Sequence, residues 1–190
     1  QRHMNKLEGH YGIGHVRYPT AGGSGKDFAQ PMYVNSPYGI SLAHNGNLTN
    51  SKALARELFH AEMRHLNTDS DSEVLLNIFA HELAKQRAIL PSPKHFFQAV
   101  KKTHSRCHGA YAVVALITGF GLIAFRDPKG IRPLVIGERD GKDRKEYIIA
   151  SENASFSALG FNTLRDVEPG EAVFIDINGQ LHSQQCADNP

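Results

Sequence analysis

The chain has 190 residues, enough for one domain with a real core, and its 41% hydrophobic and 21% charged residues are a globular rather than a disordered composition. Twenty-one basic against nineteen acidic side chains leave a formal charge of +2, dispersed along the chain, which points to neither nucleic acid nor an anionic membrane as partner. Two cysteines, Cys107 and Cys186, exclude a disulfide framework and a CxxC zinc site, and no apolar run approaches the ~20 residues of a membrane helix, so a cytoplasmic protein is expected.

In chain order, residues 12–18 read as a short strand with His15 and Arg17 on one face. Residues 19–30 read as a loop given flexibility by Gly22, Gly23 and Gly25. Strands follow at 32–34 and 39–43, separated by an Asn35-Ser36-Pro37 turn. Helical spacing of Leu54, Leu58 and Phe59 predicts a helix over 49–66 with Thr49 or Asn50 as N-cap. Ser70-Asp71-Ser72-Glu73 has the form of a capping box and opens a second helix through Leu83, and Ser92 caps a third through Val100. After Cys107 the pattern changes to strands at 110–117, 122–126, 134–136, 147–150 and 172–177, with hairpin links at Gly119-Phe120-Gly121 and Ile177-Asn178-Gly179. A short helix is expected over 153–159. Periodicity alone gives the α+β class.

Ala43-His44-Asn45-Gly46-Asn47-Leu48-Thr49-Asn50 is the segment richest in chemistry. It lies between an apolar strand and an amphipathic helix, so Asn45 offers a side-chain amide and Gly46 an uncovered backbone N–H, the paired donors an oxyanion hole requires. On the dipeptide alone a type I′ turn is the competing reading. Residues 20–26 imitate a phosphate loop but fail it, because Thr20 stands where the first glycine is needed and Asp27 follows Lys26. The eleven histidines show no compact zinc-ligand spacing. Arg126-Asp127-Pro128-Lys129-Gly130-Ile131-Arg132-Pro133 reads as a turn after a buried strand, with no catalytic role.

Taken together, Gly14-His15-Val16-Arg17-Tyr18-Pro19-Thr20-Ala21-Gly22, the Ala43–Asn50 string and Ser70-Asp71-Ser72-Glu73 resemble the glutaminase domain of class II glutamine amidotransferases, the N-terminal-nucleophile hydrolase type. The Arg126–Pro133 segment and the closing Gln185-Cys186-Ala187-Asp188-Asn189-Pro190 narrow the likeness to the amidophosphoribosyltransferase family, from about Gly9 onward. The resemblance implies a four-layer α-β-β-α sandwich of antiparallel sheets and a single glutamine amidotransferase domain over 1–190. It implies Asn45 and Gly46 as oxyanion hole, Arg17 and Thr20 as partners of the glutamine α-carboxylate, and Asp71, supported by Gly46, as partner of its α-ammonium. The planar guanidinium of Arg17 suits a carboxylate because it offers two parallel donors. Asp71 would also be favoured at a helix N-terminus by the macrodipole. His44 is expected to make a structural hydrogen bond.

The family's nucleophile is an N-terminal cysteine, whereas this chain opens Gln1-Arg2-His3-Met4. The expectation is therefore a fold truncated at its N-terminus, a piece of a longer enzyme that is inactive alone, with Cys107 and Cys186 as poor substitutes. The parent would convert glutamine and phosphoribosylpyrophosphate to 5-phosphoribosylamine, the committed step of de novo purine synthesis. Homo-oligomers and, in the absent phosphoribosyltransferase domain, Mg2+ are implied; no cofactor is expected in this chain, and an iron–sulfur cluster occurs in some relatives. The rivals are another class II amidotransferase, of the glucosamine-6-phosphate synthase or asparagine synthetase type, and a catalytically dead glutaminase-like domain kept for binding or assembly.

Overall fold

The computed structural model of the protein describes residues 9–16, 29–188 and 190. Strands β1 (Met32–Val34) and β2 (Ile40–Leu48) lead into helices α1 (Ser51–Glu62), α2 (Asp71–Ala84) and α3 (Pro93–Arg106). Strands β3 (Gly109–Ile117), β4 (Gly121–Arg126), β5 (Val135–Asp140) and β6 (Lys145–Ala150) follow, then a 3-10 turn at Ser157–Leu159. Strands β7 (Asn162–Asp166), β8 (Glu171–Asp176) and β9 (Leu181–Gln185) complete the chain. They form two antiparallel sheets, one of six strands in the order β1-β2-β3-β4-β8-β9 and one of three in the order β6-β5-β7.

Side-chain alternation along each strand builds two cores. Ile40, Leu42 and Leu48 of β2 and Val113, Ala115 and Ile117 of β3 face the helices, where Leu54, Leu58, Phe79 and Phe96 meet them. The opposite face carries Ala112, Ala124 and Val173 against Leu134, Ile136 and Val167, small side chains that let the two sheets approach. Eleven of the 14 residues of α2 are buried, so this helix is packed on nearly every side, between its neighbours and β2. The α+β sandwich of antiparallel sheets is therefore the observed architecture. Outside the three-stranded sheet, the covering layer among the described residues is a short segment whose buried Phe156 lies against Gly137.

Several local expectations are corrected. Residues 11–16 pair with no strand among the described residues; Tyr11, Ile13 and His15 are half-buried and the residues between them exposed. Tyr11 anchors the segment by donating to the Asp176 carbonyl at 2.7 Å. Asn50 is the N-cap of α1 but makes no side-chain cap; its amide instead donates to the Arg106 carbonyl and accepts from His108 N–H. The capping box at Ser70 is half formed. Ser70 accepts from Ser72 N–H, whereas Glu73 turns to the preceding loop, accepting from the backbone and side chains of Asn67 and Thr68. Strands β7 and β9 were not expected, because β7 is exposed almost throughout and β9 reads Leu-His-Ser-Gln-Gln. Both are held by ladder bonds to a neighbour rather than by an apolar pattern.

Three carboxylates and one guanidinium tie the helices together. Arg106 of α3 meets Glu57 and Glu62 of α1 at 3.1 and 2.7 Å and Glu82 of α2 at 2.5 Å. The turn after β4 is organised by the fully buried Asp127. Its carboxylate accepts from the backbone N–H groups of Tyr111, Lys129, Ile131 and Arg132.

Candidate functional site

The strand β2 runs through the whole Ala43–Leu48 string, so Asn45-Gly46 is mid-strand and forms no turn. Gly46 faces Tyr111 of β3 and has φ +149°, a conformation for which side chains are poorly suited. A Cβ there would stand 1.9 Å from the Ala110 carbonyl oxygen, and one on Gly109 of the facing strand 2.2 Å from that of Asn47. The two glycines allow the strands to approach closely at this point.

Ladder geometry decides where the Gly46 amide points. In an antiparallel pair, alternate residues turn their N–H and C=O groups to opposite sides. Thr118 N–H donates to Gly39 C=O and Thr49 N–H to His108 C=O, so odd-numbered residues of this strand face β3. Tyr111 spends both its backbone groups on Asp127, in agreement with that phase. Gly46 therefore turns its N–H to the other edge, beyond Met32, where β1 stops opposite Leu42. On that edge His44 N–H donates to Gln30 Oε1 at 2.7 Å and Leu48 N–H to Asp71 Oδ2 at 2.9 Å. The amide between them, that of Gly46, has no acceptor among the described residues.

A cavity of about 720 Å³ opens at this edge, lined by residues of both sheets, the N-terminus of α2 and residues 14–16. Asn45, Gly46 and Asp71 all line it. Asn45 points toward the smaller sheet, where its Nδ2 donates to Ser151 Oγ at 3.3 Å and is held by one of its two hydrogens. Asp71 is the first residue of α2, so the local macrodipole and the cavity address the same carboxylate. Arg17 and Thr20 lie outside the described residues, as does the imitation phosphate loop.

His44 projects to the helical face, is 3% exposed, and places Nδ1 3.0 Å from Ser72 Oγ. Burial pushes its pKa down to about 4, against an opposing pull from Asp71, so the ring is neutral at neutral pH. This is the structural hydrogen bond expected of it. Cys107 and Cys186 are both 2% exposed, and burial pushes both thiols up to about 12. Neither is an activated nucleophile. Glu62, His81 and Glu82 bring ligand-type atoms within 4.8 Å of one another, but Arg106 already bridges both carboxylates.

Among the lining residues that the sequence reading did not place at a site are Gln30, Ser72, Arg132 and Ser151. Gln30 was visible only as the end of the loop over 19–30, and Ser72 only as the interior of a capping segment. Arg132 reaches the cavity because Asp127 folds the turn that carries it.

Comparison with known proteins gives a consistent picture. Residues 23–158 match the model of the glutamine amidotransferase domain family. The whole chain is 58% identical to amidophosphoribosyltransferase of Escherichia coli and 57% identical to that of Pseudomonas aeruginosa, covering 38% of each relative. The chain thus spans well under half the length of the curated relatives it matches. A solved glutamine phosphoribosylpyrophosphate amidotransferase from B. subtilis, complexed with ADP and GMP, superposes with a TM-score of 0.72 at 33% identity, over 92% of this chain and 34% of that one. A structure described as the allosteric regulatory enzyme of purine biosynthesis gives 0.73 at 34% identity, over 92% and 35%. Among the described residues no helix is long and apolar enough to cross a membrane.

Proposed function

The chain belongs to the glutamine amidotransferase domain family, and from that premise we propose that it forms the glutamine-hydrolysing part of an amidophosphoribosyltransferase. The observation that carries this reading is the Gly46 N–H, the one amide on the open edge of β2 left between two capped neighbours, beside a cavity that also receives Asn45 and Asp71.

Glutamine would enter with its carboxamide at Asn45 and Gly46 and its ammonium at Asp71. Attack by a thiol on the carboxamide carbon turns the carbonyl oxygen into an oxyanion. The Gly46 N–H and the remaining Asn45 Nδ2 hydrogen are fixed donors for that charge, so they require little reorganisation as it forms. Ammonia leaves, and water releases glutamate from the thioester. Neither Cys107 nor Cys186 suits the attack, so the reading takes the nucleophile from the family's N-terminal cysteine, which is not among the 190 residues of this sequence. Arg17 and Thr20 would hold the α-carboxylate. In the whole protein the ammonia would pass to phosphoribosylpyrophosphate, giving 5-phosphoribosylamine and diphosphate, in a phosphoribosyltransferase domain that uses Mg2+ and within a homo-oligomer.

The test is Asn45→Ala in the whole protein. Loss of one oxyanion donor should lower glutamine-dependent kcat by about 100- to 1000-fold, with ammonia-dependent synthesis unchanged. Normal glutamine turnover in that variant would refute the assignment.

A further inference from the structure

The two oxyanion donors of the proposed site are supported by different sheets. Gly46 is fixed within the six-stranded sheet by its close pairing with Tyr111 of β3. Asn45 carries its amide at the end of a side chain, and the outer torsion of an asparagine has only broad minima. Its one side-chain hydrogen bond among the described residues crosses to Ser151 Oγ, beside the three-stranded sheet. Alternation along β6 accounts for this reach. Tyr147 and Ile149 pack into the core between the sheets, so Ser151, two residues on, turns its hydroxyl to the same gap. Ser151 is itself held from both sides, as a supporting group must be. Ala150 before it pairs with Val135, and Asn153 after it donates to Thr163 Oγ1 of β7 at 3.2 Å. The Asn153 carbonyl in turn accepts from Phe156 N–H at 3.0 Å, and the ring of Phe156 is buried against Gly137.

We propose that Ser151 is a positioning residue for the oxyanion hole: its hydroxyl anchors the Asn45 carboxamide across the gap between the sheets and so keeps that donor in place beside the Gly46 N–H. The assignment rests on the glutaminase reading for the identity of the anion. In the observed arrangement Ser151 Oγ accepts one hydrogen of Asn45 Nδ2, and the second points elsewhere, free for a developing charge. The reversed amide would be anchored equally, by a hydroxyl that donates to Oδ1, so the restraint does not depend on which atom carries the proton. A donor that must turn into place as charge develops loses part of its effect to reorganisation, and one already held does not. Ser151 therefore acts on the barrier rather than on glutamine binding, because the oxyanion exists only once the carbonyl has been attacked.

The experiment measures glutamine- and ammonia-dependent turnover of the whole protein in Ser151→Ala, Ser151→Thr, Asn45→Ala and the Asn45→Ala/Ser151→Ala double variant. Ser151→Ala should lower glutamine-dependent kcat about tenfold, less than loss of the donor itself. The glutamine KM should stay within about twofold, the pattern of an interaction made only in the transition state. Ammonia-dependent synthesis should be unchanged. Ser151→Thr keeps the hydroxyl and should remain within about threefold of wild type. In the Asn45→Ala background the Ser151 change should have no further effect, because the side chain it holds is gone, so the two losses do not multiply. An unchanged kcat in Ser151→Ala overturns the proposal, as does a loss that Ser151→Thr shares or that multiplies with the loss in Asn45→Ala. A loss confined to KM assigns Ser151 to ground-state binding and overturns it equally. Normal glutamine turnover in Asn45→Ala refutes the oxyanion assignment and the role of Ser151 with it. A large loss in Asn45→Ala with none in Ser151→Ala removes the anchor alone and leaves the glutaminase reading standing.

Discussion

Asp71 Oδ2 accepts the Leu48 N–H at 2.9 Å, so the first residue of α2 closes the open edge of β2 one turn of the ladder beyond Gly46. One carboxylate thereby serves the fold and faces the cavity, and the two roles can be separated by substitution. Asp71→Asn keeps an oxygen for Leu48 and loses the charge. It should raise the glutamine KM in the whole protein and leave ammonia-dependent synthesis unchanged, with stability within about 0.5 kcal/mol of wild type. Asp71→Ala also abandons the Leu48 donor and should lose a further 1–3 kcal/mol, roughly the desolvation cost of an unmet N–H. Steady-state kinetics and urea titration distinguish the two.

Gly46→Ala should be far more damaging than its size suggests. The added Cβ would stand 1.9 Å from the Ala110 oxygen, and the backbone sits at φ +149°. Either β2 moves from β3 or the turn of the peptide changes, and both displace the amide proposed for the oxyanion. The expected result is a loss of more than about 3 kcal/mol, the range of strain combined with overpacking, read as a large drop in Tm or as insoluble protein.

Arg106→Leu should loosen the helical layer. The guanidinium is the shared partner of Glu57, Glu62 and Glu82, and the latter two side chains are only 8% and 5% exposed. Removing it leaves Glu82 with Lys85 and Glu62 with His81 as their remaining partners, so the cost should stay below the roughly 3–5 kcal/mol of a fully stranded buried charge. Arg106→Lys should recover little of this, because an ammonium cannot span three carboxylates from one planar fork. Chemical denaturation of the three proteins in parallel tests both statements.

Acid should destabilise the fold through two buried imidazoles. Burial holds His44 and His104 at about 4, below the ordinary 6.5, and the Nε2 atom of each is buried without a hydrogen-bond partner among the described residues. The unfolded chain takes up these protons near pH 6.5 and the folded one only near pH 4, so between those values the unfolded state binds more protons. Stability from this source is complete above about pH 7 and is lost as the pH falls through the window, on the order of 3 kcal/mol for each group. Denaturation midpoints measured from pH 7.5 to 4.5 should fall accordingly. His104→Gln, which keeps a polar partner for Tyr111 Oη, should flatten the dependence by about one proton.

The elements that were legible in the sequence are those whose own side chains demand them. Ile40 and Leu42, the apolar faces of the three helices, and the Gly119-Phe120-Gly121 hairpin each carry a local pattern strong enough to specify the backbone. The family likeness rested on similarly local strings, and Asn45, Gly46 and Asp71 do meet at one cavity. What tertiary structure alone decided is which donors remain open there. Asn45-Gly46 carries the strongest hairpin signal in the language of turns, yet pairing with Ala112 and Tyr111 keeps it in a strand. Gln30, Ser72 and Arg132 reach the site although nothing local marked those three residues for it, because β1 stops at Met32 and Asp127 gathers its turn around four backbone amides. Periodicity reports which face of an element is buried. It carries no information on where a neighbouring strand ends, and the end of β1 is what leaves the Gly46 amide facing the cavity.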